Sequence, residues 1–306
     1  MSTSGKVTGL AHVGYGDDNT YELIDFYCGK LGIEHKMSQE INHPYIGRIN
    51  GVTGCPYVIG FVRAENDEAR LEFVGCVNAL KGTAIYPFGI GGHMHIVYMA
   101  DDIGAYRRRL EKEGVNIVTP VSTIDYGRYR GMSAFFLRDI NGVYVQVIGD
   151  PAGKGIGRLT NMTGVSYTVT DMDYAAKSFA EGLELPVTEV DISESRYLKG
   201  LGGDYPLRGK EVELDKSMKV FVELLEATKP NPKTDEIWVN SLGCLHLCVM
   251  VDDIDAVHAR MTSKGLRFVG PPSPVELGVN KGARAIFSKI SGEIMVELFQ
   301  GKPTAV

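Results

Sequence analysis

Cysteine is sparse. The 306 residues carry five, Cys28, Cys55, Cys76, Cys244 and Cys248, and no two of them form a CxxC pair. That spacing argues against a zinc–thiolate site or a disulfide framework, so reduced, partly buried thiols are expected. Long apolar runs are missing too. None approaches the ~18–20 residues of a membrane-spanning helix, so no membrane partner is expected. Excess positive charge is absent: 32 Lys and Arg stand against 38 Asp and Glu, a net charge of −6. This gives no basic face for nucleic acid. The first residues, MSTSGKVTGLAHVGYG, lack a basic stretch followed by an apolar one, so no secretory signal is expected and a cytoplasmic location is. Glycine, in contrast, is frequent, with 37 residues, as suits many tight turns between short strands. The length is about twice that of a typical domain, which makes two domains the first expectation.

Two long stretches of the chain resemble each other. GGHMHIVYMADDIGAYRRRLEKEGVNIVTP begins at Gly91, and LGCLHLCVMVDDIDAVHARMTSKGLRFVGP begins at Leu242. His95 falls on His246, Asp101–Asp102 on Asp252–Asp253, and Gly114 on Gly265, at a constant offset of 151. Polar, apolar and glycine positions match together, which indicates a duplication. The first and third quarters also align, with TGLAHVGYGDD from Thr8 lying over TGVSYTVTDMD from Thr163, so that His12 falls on Tyr167. Each quarter has one grammar: a short apolar strand, an acidic cap, an amphipathic helix of about 12–15 residues, then three strand-like runs. The expected fold is α+β, with four βαβββ modules paired into two half-open barrels. Modules one and two would occupy residues 1–150, and modules three and four residues 161–306. The Gly-rich segment from Gly149 would separate the halves, and the segment from Ala227 would join the last two modules.

Two such modules side by side enclose a cleft. Side chains from their first and last strands converge in it, because alternate strand residues face one side. Module one carries His12 and Glu72 at those positions, module two His95 and Gln146, module three Tyr167 and Glu223, module four His246 and Glu297. Imidazole and carboxylate are ligands for Zn, Fe, Mn, Co or Ni ions. Their recurrence at equivalent places of a repeat predicts one divalent metal ion. His93, on the opposite strand face from His95, is expected to be structural.

The strings LAHVGY…LIDFYCGKLG, HIVYMADDIGAYRRRLEKEGV, RDINGVYVQV and LHLCVMVDDIDAVHARMTSKG…MVELF resemble the vicinal oxygen chelate superfamily, which includes glyoxalases, epimerases, antibiotic-binding proteins and extradiol dioxygenases. The resemblance implies that module one pairs with two, and three with four. The metal would then be held by His12, Glu72, His95 and Gln146, with Glu72 the catalytic base. Some relatives pair one with four, which would give His12, His246 and Glu297, together with Glu72. The implied function is a metal-dependent isomerase, epimerase or lyase. It would act on a small carbonyl-containing substrate chelated to the metal, through an enediolate-like intermediate. The alternatives are an Fe(II)-dependent ring-cleavage dioxygenase of a catechol or hydroquinone, and a non-catalytic small-molecule-binding protein. The run KGARAIFSKISGEIMVE from Lys281 lacks the His, Tyr and Pro that such dioxygenases carry there. Tyr45, Arg48, Tyr126 and Arg130, in the loops over the cleft, are the expected substrate contacts. The partner is a small molecule, and the resemblance allows a homodimer.

Overall fold

The computed structural model describes residues 5–54, 56–65, 70–76, 82–201, 208–215, 220–227, 229 and 237–302. Most of the connector from Ala227, and Cys55, lie outside these. Module one comprises β1 (Val7–Asp17), α1 (Thr20–Phe26), β2 (Glu34–Ile41), α2 (Tyr45–Asn50), β3 (Tyr57–Arg63) and β4 (Arg70–Cys76). Module two comprises β5 (Met94–Ala100), α3 (Ile103–Lys112), β6 (Asn116–Ile117), β7 (Ser122–Thr123), β8 (Ser133–Arg138) and β9 (Tyr144–Gly149). Module three comprises β10 (Leu159–Val169), α4 (Met172–Lys177), β11 (Val187–Val190), α5 (Arg196–Gly200), β12 (Gly209–Asp215) and β13 (Val220–Glu226). Module four comprises β14 (Leu245–Val251), α6 (Ile254–Ser263), β15 (Arg267–Phe268), β16 (Ser273–Pro274), β17 (Arg284–Lys289) and β18 (Met295–Gln300).

The long helices start where the acidic caps predict. The side chain of Asp102 accepts from the backbone N–H of Ala105, that of Asp171 from Tyr174, and that of Asp253 from Ala256. These bonds satisfy N–H groups that have no partner within the helix. Gly114 and Gly265, at φ +71° and +87°, end the turns after α3 and α6 in the left-handed region that favours glycine. The short helix α2 replaces an expected loop. Pro44 precedes its first turn and Gly51, at φ +79°, stops it after six residues.

The pairing of modules corrects the expected arrangement. Strand β1 pairs antiparallel with β14, and β5 with β10. One sheet therefore runs β15-β17-β18-β14-β1-β4-β3-β2, and the other β11-β12-β13-β10-β5-β9-β8-β6. Module one is joined to four, and module two to three, so each barrel takes one module from each half of the sequence. From Gly9 onward every residue of β1 is buried, as is nearly every residue of β14, as befits the central strands of a sheet covered on both faces. Cys28, Cys244 and Cys248 are free thiols, whereas Cys76 is disulfide-bonded, contrary to the expectation that all five are reduced.

Candidate metal centre

Four adjacent strands, β18-β14-β1-β4, bring four side chains to one point. His12 and His246 come from the two central strands, and Glu72 and Glu297 from the strands flanking them. His12 follows a bulge between Leu10 and His12 in the β1–β14 ladder, an irregularity that re-aims the strand's side chains. Two residues on, Gly14 faces the same way and lies opposite His246. A Cβ on Gly14 would stand 1.8 Å from Cε1 of His246, so the imidazole occupies the space that any larger residue would need. Phe287 holds that ring edge-on at 4.9 Å, and Phe61 packs against His12 at 5.9 Å.

Nε2 of His12 lies 2.9 Å from Oε2 of Glu72 and 3.3 Å from Oε2 of Glu297, and Nε2 of His246 lies 3.9 Å from the same Glu72 oxygen. All four residues are buried or nearly so. Yet Nε2 of His12 and both ring nitrogens of His246 make no hydrogen bond. Ligating atoms of His12, His246 and Glu297 all lie within 4.8 Å of one another. Buried polar atoms are rarely left without partners, and imidazole nitrogens this close to carboxylate oxygens fit a cation between them. Two imidazoles and two carboxylates are a donor set for a divalent first-row metal. Burial and the neighbouring His12, against the pull of Glu297, push the pKa of His246 down to about 3, which keeps its ring neutral and able to ligate. At His12 burial acts in the same direction, but Cys248 and Glu72 outweigh it and raise the pKa well above the usual histidine value. A cation beside Glu72 would offset that pull.

The second cleft is built on the same plan with different groups. The offset of 151 places His95 where His246 stands, Glu223 where Glu72 stands, and Gln146 where Glu297 stands. Ser166 replaces Gly14, since it lies opposite His95 and beside Glu223. It donates to Glu223 at 2.6 Å, and Tyr126 donates to the other carboxylate oxygen at 2.8 Å. Gln146 donates to Tyr197 at 2.7 Å. Gly164 holds the position of His12, and a Cβ there would meet the Phe221 ring at 2.4 Å. One imidazole and one carboxylate have thus been exchanged for Gly and Gln, and the remaining carboxylate is occupied by hydroxyls.

The predicted ligands therefore divide. His12 and Glu72 meet His246 and Glu297, the alternative set, while His95 and Gln146 face the other cleft. Tyr167 belongs to neither: it is fully buried and its hydroxyl donates to the Leu245 carbonyl at 3.3 Å. Its counterpart is Tyr15, three residues from the one the aligned strings gave. A three-residue slip, being odd, turns every side chain to the opposite face. Among the expected substrate contacts, Tyr45 lines the metal cleft and donates to the Leu277 carbonyl at 3.3 Å. Arg48 is turned outward in an ion pair with Glu276. Tyr126 lines the second cleft, and Arg130 is exposed on the surface. His93 does not face away from His95 as expected: residues two apart share a side, and its Nε2 lies 3.2 Å from Nδ1 of His95 while its Nδ1 bonds the Tyr86 carbonyl at 2.7 Å. The metal cleft is also lined by Gln39, Asn50, Tyr57 and Asn280, none of which was singled out from the sequence. Alternation along β2, which places Gln39 and Ile41 on one face, was the signal for the first of these.

Comparisons with known proteins agree with this architecture. Family models described as the Glyoxalase/Bleomycin resistance protein/Dioxygenase superfamily match residues 9–147 and 163–287. A 2-epi-5-epi-valiolone epimerase from Actinomyces sp. is 26% identical over 158 residues, covering 48% of this chain and 82% of that protein. Glyoxalase I from Zea mays superimposes with a TM-score of 0.61 at 14% identity, over 97% of this chain and 92% of that one. A putative dioxygenase from Bacillus subtilis gives a TM-score of 0.58 at 15% identity, over 97% and 86%. Matches on both sequence halves, and on a fold of two module pairs, establish that this chain is a two-domain member of the Glyoxalase/Bleomycin resistance protein/Dioxygenase superfamily.

Proposed function

We propose that this protein is a metal-dependent isomerase or epimerase that moves a proton on a carbon next to a carbonyl. The reaction would take place in the cleft between modules one and four. The observation that carries this reading is the pair of carboxylates, Glu72 and Glu297, on opposite sides of two imidazoles in a buried cleft. His12, His246, Glu72 and Glu297 would hold one divalent ion, whose chemistry is that of a Lewis acid drawing negative charge onto the substrate's oxygens. Glu72 takes the proton from the carbon, and the electron pair left behind moves onto the carbonyl oxygen. Glu297, across the cleft, passes a proton from a substrate hydroxyl or solvent to the opposite side as Glu72 releases the one it took. Delivery to the same carbon inverts it, and delivery to the neighbouring carbon completes an isomerisation. The apolar walls exclude water from the carbanion-like species. The epimerase relative supports this class of reaction, since its name describes inversion at carbon.

Incubation of the metal-loaded protein with a panel of α-hydroxyketones in D₂O, followed by proton NMR, tests the proposal. Loss of the α-proton signal is expected with at least one of them. Glu72→Gln should slow the exchange by about 10²–10⁴-fold while the protein keeps its metal. Unchanged exchange in Glu72→Gln would remove Glu72 as the base.

A second reading has one observation in its favour. His12, His246 and Glu297 alone make a two-His, one-carboxylate cluster of the kind that holds iron in oxygenases. Glu72 at 2.9 Å from His12 weighs against it, because it fills a position that such sites leave open. Oxygen consumption with a catechol by the iron-loaded protein would favour the second reading.

A further inference from the structure

We infer that the substrate of the metal cleft is uncharged: a compound with two adjacent oxygens on an apolar body, carrying neither phosphate nor carboxylate. This rests on the metal-site reading above and narrows it. Among the described residues that line the cleft there is no lysine and no arginine. The two arginines nearest in the sequence to the cleft are already engaged. Arg48 pairs with Glu276 on the outer side of α2, and Arg70, not itself a lining residue, packs its guanidinium over Phe61 at 5.1 Å and interacts with Glu72.

A phosphate or carboxylate on the substrate would find no lysine or arginine among the described lining residues to meet it. Moving an unpaired anion out of water into such surroundings is strongly unfavourable.

The walls describe the rest of the molecule. Ile41, Ile46 and Ile49 of module one face Val275, Leu277 and Phe299 of module four. The polar groups at the rim are amides and a phenol, those of Gln39, Asn280 and Tyr45, which pair with hydroxyl or carbonyl groups and carry no charge. Asn50 and Tyr57 are bonded to each other at 3.0 Å. A cleft of this kind rewards burial of an apolar body over contact with an ion.

Catechols test the inference, because their two adjacent, coplanar oxygens mimic the deprotonated substrate. Binding of 4-propylcatechol and of 3,4-dihydroxybenzoate to the Co(II)-loaded protein, without oxygen, is followed by the visible bands of the metal. The two probes share the chelating pair and differ in whether the remainder is apolar or anionic. The propyl compound is expected to bind at least tenfold tighter. Leu277→Lys, at the exposed rim of the cleft, is expected to narrow or invert that ratio by tightening the benzoate. Equal or tighter binding of the benzoate by the unaltered protein would overturn the inference and leave the metal site standing. A ratio unmoved by Leu277→Lys would overturn the charge argument. Failure to take up Co(II), or bands that respond to neither catechol, would overturn the metal-site reading and this inference with it.

Discussion

Gly14 shows how one residue decides what a cleft can do. Its missing side chain leaves the space in which the His246 imidazole stands, and Ser166 at the same place in the other cleft instead ties up Glu223. Gly14→Ala is expected to displace His246 and abolish metal binding, measured by elemental analysis of the purified variant. Retention of one ion per chain would show that the ring can find another position. The same residue marks the limit of what the sequence discloses. His12, Glu72, His246 and Glu297 are legible as candidate ligands because they recur in a repeat, but the same recurrence offers His95 and Gln146, from the set first expected. The roles of Gly14 and Gly164 are not legible, since a glycine that makes room looks the same as one that makes a turn.

At the scale of elements, the starts of α3, α4 and α6 were legible in an Asp cap and the stops after α3 and α6 in a glycine, because these bonds are local. The partner of β1 was not. Hydrophobic alternation fixes which face of a strand is buried but carries no information on which neighbour buries it. The corner from β1 to α1 makes a prediction of its own. Asp17 is fully buried there and accepts from Thr20 at 2.9 Å. Burial raises its pKa to about 7; the Thr20 hydrogen bond opposes this, and Asp18 and Asp139 add to it. A carboxyl with a raised folded-state pKa contributes stability that is complete below its unfolded value of 3.8 and is lost as pH rises through about 7. Asp17→Asn should remove this loss. Thermal unfolding from pH 5 to pH 8 should therefore show the variant gaining on the original protein by about 1–3 kcal/mol as pH rises. A constant difference across that range would show that Asp17 is already ionised in the fold.

The whole molecule is a duplicated chain that has spread its two halves across two barrels. No helix among the described residues is long and apolar enough to cross a membrane. The two clefts are built on equivalent strands in equivalent register, yet only one keeps two imidazoles and two carboxylates together. Metal content measured side by side in the original protein, His246→Ala and His95→Ala tests this central claim most directly. The original protein should hold one ion per chain, His95→Ala should keep it, and His246→Ala should lose it. Loss of the ion in His95→Ala with retention in His246→Ala would contradict the account and return the site to modules one and two.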